Sequence, residues 1–189
     1  MSRQPEHERL PPEGAESREL RTQDREGSPP SGKGFGVAYA YLNRRERTEA
    51  EVRARLERGE IDDAEIELVI AELLELGYLD DVRYARVFTE DKRSLEAWGN
   101  ERIARSLREH GVERGLIEAA LAEDEGQSAF GVGVDGELDR AIAFLSRRFP
   151  AGPAEPRDRE RAFGVLARKG YESETASDAV REWARREAA

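Results

Sequence analysis

The stretch 77–93, GYLDDVRYARVFTEDKR, constrains the fold more than any other, because one helix must end and another begin there with no residues to spare. Apolar residues at Ile66, Val69, Ile70, Leu73 and Leu74 have the i, i+3, i+4 spacing of a helix face. They run into Gly77, the residue type that takes the left-handed terminating conformation at least cost. Tyr78 and Leu79 can then fold back on the helix they leave. Asp80 and Asp81 offer short acceptors to the free N–H groups of a new helix, whose inward face reads as Tyr84, Val87 and Phe88. The junction thus predicts helical units docked directly on one another, with Leu79 buried between the first two.

Aligning leucine positions exposes an internal repeat. Leu56, Ile61, Ile66 and Ile70 are spaced 5, 5 and 4, as are Leu107, Val112, Ile117 and Leu121, and again Leu166, Tyr171, Ala176 and Val180. A glycine stands shortly before the second member each time: Gly59, Gly111 and Gly170. The pattern describes a helix ending at glycine, a tight corner plugged by an apolar side chain, and a further helix facing the same core.

Each unit opens with one more helix, at 38–45, 82–93 and 138–149. The expected fold is all-α: a tandem array of three three-helix repeats at 35–81, 82–125 and 137–187. A disordered N-terminal tail is expected at 1–34, rich in proline and mixed charge, and a glycine-rich linker at 126–136, within the acidic run 123–136. Thr48 and Glu51 form a capping-box pair at the start of the first unit's second helix. Three short helices bury little alone, so stability should come from stacking. The break at 150–156, with three prolines, lengthens one turn of the third unit and predicts a looser packing there.

At 189 residues and 38% apolar content, part of the chain must lie outside any core. Cysteine is absent, which excludes disulfides and thiolate metal sites, and no apolar run reaches membrane-spanning or signal-peptide length, so the cytoplasm is the expected compartment. The net charge of −10 is banded: residues 59–81 hold nine acids and no Lys or Arg, residues 112–139 eight acids and one Arg, and the segments around them are mixed or basic.

No phosphate-loop, nucleophile-elbow, zinc-protease or EF-hand pattern occurs, and the two histidines, His7 and His110, lie far apart. Neither catalysis nor a cofactor or metal is expected, and Asp80–Asp81 reads as a helix cap. The informative polar residues are basic. Arg44, Arg45 and Arg47 lead into one helix, Lys92 and Arg93 end another, and Arg102 and Arg105 line the face of a third opposite Ile103 and Leu107. Arg45, Arg47, Lys92, Arg93, Arg102 and Arg105 are therefore the candidate partner-binding residues, expected on the outside and facing phosphates or acidic side chains. Trp98, beside Gly99, is a further candidate for stacking on a partner or for core packing.

These motifs carry a resemblance. The run GYLDD-x-R-Y-A at 77–85, R-x-x-T-x-x-E-V at 45–52 and R-S-x-x-x-W-G-x-x-R-I at 93–103 resemble the RecX family of regulators of the bacterial RecA recombinase. The resemblance spans about residues 38–187 and is best over the first two units. It implies an elongated, curved, monomeric array without catalytic activity that binds the RecA filament on single-stranded DNA and limits filament extension, with at most weak direct DNA contact and no membrane contact. The family's recurrent basic positions fall on Arg45, Arg93 and Arg102, whereas Leu95 and Glu96 stand where members usually carry basic or glycine residues. A helix-turn-helix DNA binder and a generic helical scaffold are the alternative readings. The first lacks a recognition helix rich in base-reaching side chains, and the second leaves the GYLDD junction unexplained.

Overall fold

The computed structural model describes residues 32–122 and 136–186, and among these the chain forms nine helices and no strand. The first unit comprises α1 (Lys33–Leu42), α2 (Glu49–Glu57) and α3 (Asp63–Glu75), the second α4 (Asp81–Ser94), α5 (Asn100–Glu109) and α6 (Arg114–Ala122), and the third α7 (Glu137–Arg148), α8 (Pro156–Lys169) and α9 (Ser173–Arg186). The expected tail falls outside the described residues except at its end. There α1 already begins at Lys33, and the Gly34 N–H donates to Glu65 Oε1 at 2.7 Å, so the boundary at 34 cuts into a helix. The expected linker likewise lies outside the described residues, apart from Gly136.

The repeated spacing of five residues has a single physical origin. At each corner the N–H of the plugging residue donates back to the carbonyl at the head of its row: Ile61 to Leu56 at 3.3 Å, Val112 to Leu107 at 3.0 Å and Tyr171 to Leu166 at 3.2 Å. This is the closing bond of a Schellman turn, which requires one left-handed residue just before the plug. Gly111 (φ 80°) and Gly170 (φ 84°) occupy that position in the second and third units, but in the first it falls to Glu60 (φ 57°), one residue beyond Gly59. The α3 terminus repeats the device, with Gly77 at φ 70° and the Tyr78 N–H on the Leu73 carbonyl at 2.9 Å.

Each unit surrounds its own core. Leu56, Ile61, Ile66, Ile70 and Leu79 are buried in the first, Ile103, Leu107, Val112 and Ile117 in the second, and Leu166, Tyr171, Val180 and Trp183 in the third. Leu79 belongs to the first core rather than to a seam between units, and Leu121 is only partly buried. Asp80 caps α4 as expected, accepting from the Arg83 N–H at 2.8 Å. The inward face of α4 is Tyr84, Ala85 and Thr89 with Phe88 beside them; Val87 points away, and so does Leu74 on α3. Both face out because the helices in contact lie to one side only, so the core takes a narrower stripe than the apolar residues offer. The third unit is fully packed across its proline break, with Trp183 buried against Phe149. Burial pushes the Tyr171 hydroxyl up to about 12.

The units are joined by one arrangement used twice. The first N–H of α2, at Glu49, donates to Asp81 Oδ1 at 3.0 Å, and the first N–H of α5, at Asn100, donates to Glu137 Oε1 at 2.7 Å. In both cases the acceptor is the first residue of the next unit's opening helix. The capping residues bind the next corner as well: Thr48 Oγ1 donates to the His110 carbonyl at 2.5 Å, and the Gly99 N–H to the Lys169 carbonyl at 2.9 Å. Contact is close enough to exclude side chains. A Cβ on Gly99 would lie 2.3 Å from the Gly170 carbonyl oxygen, and one on Gly170 would lie 2.2 Å from the Arg102 Cβ. In α8 the first position is Pro156, with no N–H to offer, and Asp158 accepts from the Glu155 N–H at 2.9 Å within the same unit.

Two measurements check this docking. Gly99 has an ordinary φ of −80°, so Gly99→Ala adds only a clash with the third unit and no backbone strain, whereas the Gly136 cap has open space around it. Gly99→Ala is expected to raise amide exchange across α7–α9 while Gly136→Ala leaves it unchanged. The second measurement uses pH. Burial raises the Glu137 carboxyl above its ordinary range; the Asn100 N–H, Arg140 and Arg93 pull it down, and Glu172 adds to the rise. A carboxyl raised in the folded state contributes stability that is full below its unfolded pKa and is lost as pH rises through the folded value. Glu137→Gln keeps the acceptor and removes the titration, so its urea midpoint should fall less than that of the wild type between about pH 4 and pH 7.

Candidate binding surface

The basic side chains collect at the two unit junctions. At the first, Arg45 and Arg47 converge on Glu51, at 2.6 and 3.2 Å, and the Arg47 guanidinium lies 3.9 Å from the centre of the Tyr41 ring. Arg83 reaches back to Glu46 at 3.4 Å. Burial raises the Tyr84 hydroxyl, while its hydrogen bond with Arg45 acts in the opposite direction. Arg45 is exposed and Arg47 half-buried, so much of the positive charge here is already answered within the chain.

At the second junction the α4–α5 turn places Trp98 between cations. Arg102 lies 4.0 Å and Lys92 4.8 Å from its ring centre. Lys92 also pairs with Glu96, and the Lys169 Nζ of the third unit donates to the Glu96 carbonyl at 2.5 Å. Arg102 donates to the Arg168 carbonyl at 3.2 Å. Beside this platform a cleft of about 490 Å³ opens between α5 and the end of α8, with Arg102, Arg105 and Arg168 along it and Glu101 and Glu109 among its lining. Arg105 and Arg168 are exposed and make no ion pair with an acid of the described chain. No three metal-binding side chains converge among the described residues, and none of the described helices is long and apolar enough to cross a membrane.

Comparison with known proteins matches the first two units one by one. Residues 35–73 match the model of the RecX first three-helix domain, and residues 80–121 that of the RecX second three-helix domain. A Regulatory protein RecX from Deinococcus radiodurans is 34% identical over 148 residues, covering 77% of this chain and 67% of its own length. One from Halorhodospira halophila is 37% identical over 136 residues, covering 71% of this chain and 78% of its own. The chain belongs to the RecX family. RecX from Lactobacillus salivarius, known from a crystal structure, shares the fold at a TM-score of 0.65 and 20% identity, over 80% of this chain and 94% of that one. These relatives are named as regulatory proteins.

Within this RecX fold the six candidate residues separate. Arg45 and Arg47 stand at the first junction and Lys92, Arg93, Arg102 and Arg105 at the second, where Arg93 lines a cleft with Arg140 and Tyr171 of the third unit and acts on Glu137. Arg93 is only 7% exposed, contrary to its expected outward position. Its guanidinium donates to Asn100 Oδ1 and to the Leu121 carbonyl, both at 2.9 Å, tying the end of α4 to the start of α5 and the end of α6. The signal lies in the sequence: Ala85, Thr89 and Arg93 recur every fourth residue on the buried side of α4, and small residues leave room there for a guanidinium. Conversely, Arg168 and Lys169 reach the Trp98 platform from the third unit, through a docking that no spacing within one unit reveals.

Arg93 is therefore a structural residue. Arg93→Ala removes a charged hydrogen-bonding group and should cost about 1–3 kcal/mol of stability, read from urea unfolding. Arg105→Glu, on the exposed side of α5, should leave the same curve within about 0.5 kcal/mol of the wild type.

Proposed function

We propose that this RecX-family chain is a non-enzymatic regulator that binds the RecA filament on single-stranded DNA and limits filament extension, ATP hydrolysis and strand exchange. The observation that carries the reading, beyond family membership, is the cleft at the second junction. There the exposed Arg105 and Arg168 stand beside a tryptophan held between cations, on a chain whose overall charge is −10. Arginine in this setting suits acidic side chains of a protein lattice or the phosphates of an accessible strand. The acidic bands at 59–81 and 112–139 oppose tight binding to bare duplex.

The test is RecA-driven ATP hydrolysis on single-stranded DNA. Wild-type protein should suppress it, and less so as salt rises, since exposed charges are screened over about 8 Å at physiological ionic strength. An Arg105→Glu, Arg168→Glu variant with unchanged melting should need at least about tenfold more protein for the same suppression. Suppression by the variant at wild-type concentrations would place the contact elsewhere.

A further inference from the structure

The outward face of α3 is exposed among the described residues and has the opposite chemistry to the cleft. Ile66, Val69, Ile70 and Leu73 turn to the core, leaving Ala64, Leu68 and Ala71 in one solvent-facing row, with Leu74 at its edge and Tyr78 beyond the helix end. Leu68 is 68% exposed, Tyr78 52% and Leu74 45%. Around the row stand Asp63, Glu67, Glu72 and Glu75, and the helix carries no Lys or Arg. Arg53 of α2 pairs with Glu67, and among the described residues no ion pair answers Glu72 or Glu75.

The repeat supplies an internal control. When Ile66, Ile117 and Ala176 are superposed in register, Leu68 falls on Ala119 of α6 and Asp178 of α9, Ala71 on Ala122 and Arg181, and Glu75 on Arg185. The unit folds without a leucine at that position, and where acids recur alongside it they are answered within their own helix: Glu118, in the register of Glu67, by Arg114, and Glu182, in the register of Glu72, by Arg185 and Arg186. A leucine left in water between two alanines, flanked by acids of one sign, is the arrangement that receives the apolar row of a partner helix edged with Lys or Arg.

We propose that this face of α3 is a docking site for a basic amphipathic helix of the recombinase subunit, with Leu68 as the apolar anchor and Glu72 and Glu75 as charge partners. The proposal rests on the filament reading above and assigns the filament's protein component a second contact, of opposite sign to the cleft. Nucleic acid does not fit a face bearing only acids. A second copy of this chain fits poorly, because its basic third unit exposes one large apolar side chain among its described residues, Leu138.

The experiment uses the full-length chain with filaments formed by RecA on single-stranded DNA. A photoreactive benzoylphenylalanine in place of Leu68 should cross-link to the RecA subunit, within a helix rich in Lys or Arg. Cross-links to DNA or to a second copy, or none under conditions where ATP hydrolysis is suppressed, overturn the proposal. In parallel, Leu68→Glu with Glu75→Lys should raise the concentration needed for suppression at least about tenfold, as loss of an interface anchor does. If wild-type protein suppresses and this variant does so equally, the α3 contact falls and the filament reading stands. If wild-type protein fails to suppress at all, both fall together.

Discussion

The array depends on what happens to the first N–H groups of its middle helices. A helix start leaves four amides without intrahelical acceptors, at the positive end of the helix dipole. In α2 and α5 the first of these is satisfied by a carboxylate from the next unit, Asp81 or Glu137, and the cap binds the carbonyl of the next corner. Helices of nine to fourteen residues are marginal alone. Because each junction uses backbone groups that would otherwise need water, the units complete one another's helix ends.

That junction also determines where the exposed basic side chains gather. The close approach of Gly170 to Arg102 brings the end of α8 against the start of α5, which creates the cleft and delivers Arg168 and Lys169 to the Trp98 turn. Arg93 is drawn inward by the same packing, because the carbonyl at the end of α6 and Asn100 both lie within its reach. Basic charge is thus divided between holding the second unit together and facing solvent. On α3, Leu68 and Leu74 face outward, and among the described residues Arg53 answers Glu67 while no ion pair answers Glu72 or Glu75.

Much of the fold could be read before any coordinates. Gly77, the Asp80 cap, the Thr48–Glu51 capping box and the rows spaced five, five and four lie where the pattern places them. The misplacements share a cause. Val87 and Leu74 read as core because the apolar stripe is wider than the contact, and Gly59 reads as the corner although Glu60 takes the left-handed conformation. No preceding unit of the described chain presses on the first corner, so a side chain is tolerated there, whereas Gly111 and Gly170 face Ala50 and Arg102 too closely for one.

The sequence by itself determined the helices, their ends and their register, since caps and Schellman turns are closed by bonds reaching at most five residues along the chain. Only the tertiary structure decided which arginines face solvent, which glycines must be glycine and which acids serve as acceptors. Those outcomes rest on contacts such as Thr48 to His110, Asn100 to Glu137 and Arg102 to Arg168, which join residues 62, 37 and 66 positions apart. No local pattern encodes such a separation, because the partner is brought within reach by the packing of whole units and not by the geometry of any one helix.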